Sequence, residues 1–90
     1  MDVLEISMMI HDANKSLRSL FKDDYDEKAE PIREVIRRFM KQENVSTLVA
    51  LTKILQRLQA RFGEDSRETE VNTLWFCAAA VDVINEQAKS

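Results

Sequence analysis

The sequence predicts an all-α fold: a small four-helix bundle with helices at about residues 2–21, 31–42, 46–62 and 66–88, one domain over residues 1–90, completed by homodimerisation through the last helix. Three observations lead there. Glycine and proline occur once each, far below ordinary usage of roughly 7% and 5%, which leaves too few turn residues for an all-β chain. Apolar residues recur at helical spacing along most of the chain. The third is "LWFCAAAV", Leu74 to Val81, eight consecutive apolar residues in a chain that is 32% charged; a helix apolar on every side must be covered on every side.

In the first helix, Asp2 suits the N-cap, and Val3, Ile6, Ile10, Ala13, Leu17 and Leu20 alternate three and four apart, the seam of a helix packed along a neighbour. Leu4, Met8 and Phe21 widen that stripe. "KDDYDEKAE", residues 22–30, breaks it with charge and reads as a linker or an acidic helix start. Pro31 suits the first turn of a second helix, where its missing N–H is not needed, with Glu30 favouring the positive end of the dipole. Its buried face is Ile32, Val35, Ile36, Phe39 and Met40, and it ends near Gln42.

Ser46 caps the third helix, whose seam is Leu48, Leu51, Leu55, Leu58 and Phe62 with Val49 and Ile54 beside it; Gly63 follows as the left-handed C′ residue. Asp65 or Ser66 caps the last helix, with Glu68 three residues after Asp65 as in a capping box. On its wheel Leu74, Cys77, Val81, Ile84 and Ala88 share one stripe, while Phe76, Ala79, Ala80 and Val83 lie roughly opposite. Two apolar faces imply two neighbours. Either the chain wraps this helix whole, or a second copy covers one face; the homodimer is the expectation adopted, with Trp75, Phe76, Ala79, Ala80 and Val83 as interface candidates.

Several chemistries lack their residues. His11 is the only histidine and Cys77 the only cysteine, and a thiol inside an apolar run has a raised rather than a lowered pKa, so no nucleophilic pair is expected. A structural zinc site needs about four such ligands. Asp23, Asp24, Asp26 and Glu27 resemble a calcium loop, but Lys28 and Ala29 stand where a ligand and the glycine are required. One glycine cannot build a phosphate loop. The chain is therefore expected not to be an enzyme, with no catalytic, cofactor-binding or metal residues and no small-molecule substrate. Asp2 and Glu5 stand where a secretion signal needs basic residues, and no apolar run approaches the roughly 18 residues of a membrane span. A cytoplasmic protein without a membrane partner is expected.

Charge is segregated although the net is only -3. Residues 1–32 carry 8 acidic and 4 basic residues, 33–61 carry 2 and 7, and 62–90 carry 6 and 2. In the middle block Arg33, Arg37 and Lys41 recur every four residues with Arg38 alongside, and Lys53, Arg57 and Arg61 do the same on the next helix. These stripes are either a surface for phosphates or an acidic partner, or solvated faces over which the acidic flanks fold.

The stretch "IREVIRRFMKQENVSTLVALTKILQRLQ" followed by a long apolar helix resembles the small helical bacterial regulators linked to biofilm formation and acid resistance, in chain length, helix spacing and aliphatic positions. That resemblance implies a dimeric, non-enzymatic connector, and no signature motif transfers functional residues. The resulting expectation is a small regulatory or interaction protein of bacterial or phage type that acts by helix-mediated protein binding as a homodimer. Weak non-specific nucleic-acid binding through the basic stripes is the alternative.

Overall fold

The computed structural model describes residues 3–89, and the side chains of all of these except Val3. The expected Asp2 cap and the burial of Val3 thus lie outside the described residues. The described chain is helical throughout apart from short turns: α1 (Val3–Phe21), a 3-10 turn (Lys22–Asp24), α2 (Tyr25–Glu43), α3 (Thr47–Phe62) and α4 (Arg67–Lys89). No helix among the described residues is long and apolar enough to cross a membrane.

The first departure from expectation is the start of the second helix, which lies ahead of residue 31. No non-helical residue separates α1 from α2; the corner is turned by Lys22, whose φ of 49° is left-handed, and α2 begins at Tyr25, six residues ahead of Pro31. Of the two readings of residues 22–30, a linker or an acidic helix start, the structure has the helix start from Tyr25 onward. Tyr25 and Ala29 are both buried and stand one turn apart on the stripe that continues through Ile32, Ile36 and Phe39, which the surrounding charge hides from a periodicity reading. Pro31 sits inside the helix with an exposed ring, so the Glu27 carbonyl that its missing N–H leaves open faces water, where the cost is smallest.

The remaining boundaries follow from capping. Asn44, left-handed at φ 53°, ends α2 by donating its N–H to the Met40 carbonyl, and the Ser46 hydroxyl accepts from the Val49 N–H at 3.3 Å to open α3. Gly63 closes α3 with its N–H on the Gln59 carbonyl, but at φ 90° and ψ 147° it has positive φ without being left-handed helical. Ser66, not Asp65, caps α4: its Oγ accepts from the Thr69 N–H at 3.1 Å, and the Thr69 hydroxyl donates to the Gly63 carbonyl at 2.7 Å. Ser66→Ala is expected to lower stability by about 1 kcal/mol, read from the urea midpoint at unchanged slope.

The helix α4 is the axis of the molecule. It packs against α1, α2 and α3, α2 also packs on α3, and α1 and α3 do not meet along their backbones. Every residue from Cys77 to Val83 is buried, so the second half of the apolar run is wrapped by the chain's own helices. This corrects the interface expectation for three residues. Ala79, Ala80 and Val83 are at most 1% exposed and have no surface to offer a second copy. The wheel also placed Leu74 in the core, but it is 45% exposed; it lies before the level at which all three neighbours cross α4. Alanine at 78, 79 and 80 is what permits that close crossing.

The outer helices are less completely covered than their seams suggested. In α1, Ile10, Ala13 and Leu17 are buried and Ile6 half-buried, whereas Leu20 is exposed. In α3 the buried line is Thr47, Ala50, Leu51 and Ile54, while Leu48, Leu55 and Leu58 are half-buried and Val49 and Phe62 exposed. The apolar stripe of α3 is wider than α2 and α4 can cover, and its uncovered flank lies on the side of α1.

Candidate functional site

Two features stand out once the helices are placed: a polar cluster inside the core and a groove on the surface. The cluster is centred on Asp82, an acid flanked by Val81 and Val83 whose side chain is 6% exposed. Its Oδ1 accepts from Arg18 Nη2 at 2.8 Å and Asn14 Nδ2 at 3.0 Å. Its Oδ2 accepts from the Tyr25 hydroxyl at 2.7 Å and Arg33 Nε at 2.9 Å. Asn14 also donates to the Ala78 carbonyl at 2.8 Å and accepts from Arg18 Nε at 3.1 Å. The Tyr25 ring lies under the Arg18 guanidinium at 4.5 Å and stacks on Trp75 at 5.9 Å. Among the described residues no buried side-chain polar atom lacks a partner.

These partners decide protonation. Burial alone would push the Asp82 carboxyl up, but hydrogen bonds from Tyr25, Arg18, Arg33 and Asn14 outweigh it and hold the group below its ordinary 3.8. The Tyr25 phenol is pushed up by burial and by its bond to Asp82 and stays protonated. Asp82 therefore works as a fixed anion that ties α1 and α2 to α4. A carboxyl whose folded pKa is below its unfolded one stabilises the fold fully above the unfolded value and loses that contribution as pH falls through the folded value. The stability gap between the native chain and Asp82→Asn is accordingly expected to be large at neutral pH and to shrink in strong acid, as measured by urea unfolding at both.

The basic stripe on α2 is absorbed by the same logic. Arg33, with a side chain 11% exposed, pairs with Asp82, Asp26 and Glu30. Arg37 pairs with Glu30, Glu34 and Glu86, and Arg38 with Glu34. Acidic residues from the start of α2 and the end of α4 thus fold over this stripe, and only Lys41 stays outside the pairing. On α3, Lys53, Arg57 and Arg61 are exposed and form no ion pair with the described residues; Arg57 lies over the Phe39 ring at 4.9 Å and Arg61 over Phe62 at 5.3 Å. The two stripes do not join into one free basic surface.

Of the other sequence candidates, Trp75 and Phe76 are half-buried, and Trp75 is held by Phe21 at 5.2 Å and by Tyr25. Cys77 is buried and its thiol is pushed up to about 11 by burial, while His11 is exposed on the outside of α1. They form no pair. No group of acidic, histidine or cysteine side chains suited to a metal ion occurs among the described residues.

The groove was not anticipated from the sequence. It runs between α1 and α3, whose backbones do not meet, with α4 as its floor. One end is a hollow of about 410 Å³ walled by Ile6, Met9, Leu51 and Leu55 with Thr73 beneath. A second hollow of about 410 Å³ adjoins it through Met9, Gln59 and Thr73 and continues to Ala13, Glu64, Asp65 and Glu70. The signal that pointed to it is the excess width of the α3 stripe, which had two flanks and one evident neighbour.

Comparison with known proteins adds nothing to this geometry: no family model, no curated protein and no solved structure matches the chain.

Proposed function

We propose that this chain is a small non-enzymatic interaction protein of the cytoplasm, regulatory in role, that binds a helix of another macromolecule in the groove between α1 and α3. The observation that carries this reading is the apolar hollow walled by Ile6, Met9, Leu51 and Leu55 between two helices whose backbones do not meet. A helix laid there completes the layer around α4, in the helix-in-groove mode by which amphipathic segments are recognised. Methionine suits such a wall, because its unbranched side chain adapts to different partners.

The test is a pull-down at high salt with the native chain, Met9→Glu and Met8→Glu. Met8 is 60% exposed and lines neither hollow of the groove, so its variant controls for charge alone. Protein retained by the native chain and by Met8→Glu, but lost with a Met9→Glu chain of unchanged helical circular dichroism, is the expected result. An identical retained set for all three overturns the proposal.

The unpaired row Lys53, Arg57 and Arg61 favours a second reading, non-specific association with nucleic acid. Such binding falls steeply with salt, and Arg57→Glu with Arg61→Glu is expected to abolish it in a gel-shift titration at low salt. No binding of DNA or RNA by the native chain under those conditions removes this reading.

A further inference from the structure

We infer that the helix received by the groove is a basic one, an amphipathic segment of another protein carrying lysine or arginine outside its apolar stripe. This rests on the reading of the groove as a helix-binding site and adds the chemistry of the occupant. The lining of the two hollows includes no lysine or arginine, although 13 of the 90 residues are basic. Its charged members are all acidic: Glu64, Asp65 and Glu70, gathered where the turn after α3 meets the start of α4.

These carboxylates are not used by the fold. None of Glu64, Asp65 and Glu70 forms an ion pair with the described residues, whereas Asp26, Glu30, Glu34, Asp82 and Glu86 are all paired with arginines. Asp23, Asp24, Glu27, Glu43 and Glu68 also form no ion pair with the described residues; what sets Glu64, Asp65 and Glu70 apart is that they line an apolar slot with no basic residue in its lining. A groove with an apolar floor and a rim of one sign selects an amphipathic helix of the opposite sign, through burial of the apolar stripe and charge pairing at the edges.

Two other occupants fit less well. Nucleic acid is repelled by the acidic rim. A second copy would enter through the outer face of α1, where Leu4 and Met8 are 69% and 60% exposed; that face also carries Asp12 and would bring it to the acids of the other copy.

The experiment uses the whole chain and two synthetic amphipathic peptides that share leucines at i, i+3, i+4 and i+7, one with lysines and the other with glutamates at the remaining positions. Binding is followed by fluorescence anisotropy of the labelled peptide. The lysine peptide is expected to bind at least about tenfold more tightly, equivalent to about 1.4 kcal/mol, and the preference is expected to reverse in a Glu64→Lys, Glu70→Lys chain. Both positions are exposed, so the fold is not at risk. Occupancy of the groove is checked by loss of binding in Met9→Glu but not in Met8→Glu.

Equal binding of the two peptides through Met9 overturns the basic partner and leaves the helix-binding groove standing. Failure of both peptides, or binding that Met9→Glu does not weaken, overturns both. A chain that light scattering shows to be a dimer, and that Met9→Glu converts to a monomer, assigns the groove to a second copy and overturns the basic partner.

Discussion

Replacing Asp82 by alanine is expected to lower the unfolding free energy by about 3 kcal/mol, the low end of the about 3–5 kcal/mol that accompanies removal of one partner from a buried ion pair. The loss comes less from the missing attraction than from what remains. Arg33, with a side chain 11% exposed, loses the partner it holds at 2.8 Å, and the Tyr25 hydroxyl and the Asn14 amide lose an acceptor inside the core. The low end applies because Arg18 is half-exposed and because Asp26 and Glu30 still neutralise Arg33. Asp82→Asn, which keeps shape and one acceptor oxygen, is expected to fall between the native chain and the alanine variant. Urea unfolding of the three at neutral pH gives the order, and an alanine variant as stable as the native chain would show that the cluster contributes nothing.

The second large effect is expected at Ala79. Leucine there adds three carbons where α1, α2 and α3 close on α4 and the native side chain is wholly buried, so overpacking costs about 1–3 kcal/mol. For a domain of this size that lowers the melting temperature by about 4–8 °C for each kcal/mol. Had Ala79 lain at an interface between two chains, the same change would have altered association and left the melting of the single chain nearly untouched. Thermal melts and light scattering on one variant therefore separate the two arrangements.

The contrast shows what a periodicity reading reaches. Helical class, the starts of α3 and α4 and the burial of the apolar residues 77–81 follow from spacing and caps, because each depends on neighbours within a turn or two. Which neighbour covers which face does not. The wheel of α4 has two apolar sides, and nothing local distinguishes a second copy from α1, α2 and α3 arranged around one axis. The start of α2 was concealed for a different reason: Tyr25 and Ala29 supply its inner face, yet the charges around them dominate composition. Asp82 carries a signal in the sequence itself. A lone acid between two valines in an apolar helix has no route to water, and such an acid demands cationic partners from elsewhere in the chain; Arg18 and Arg33 are those partners. The groove needed the placed helices, since its walls come from segments more than forty residues apart.

The central position of α4 also sets the order in which this chain can fold as it is made. The helices that precede it share one limited contact between α2 and α3 and a corner between α1 and α2, and α1 reaches α3 only by way of α4. A ribosome that has released residues up to Phe62 has therefore released three amphipathic helices without the surface on which most of their apolar stripes pack. Much of their apolar surface has nothing to pack on until α4 emerges, so α4 is expected to complete the core.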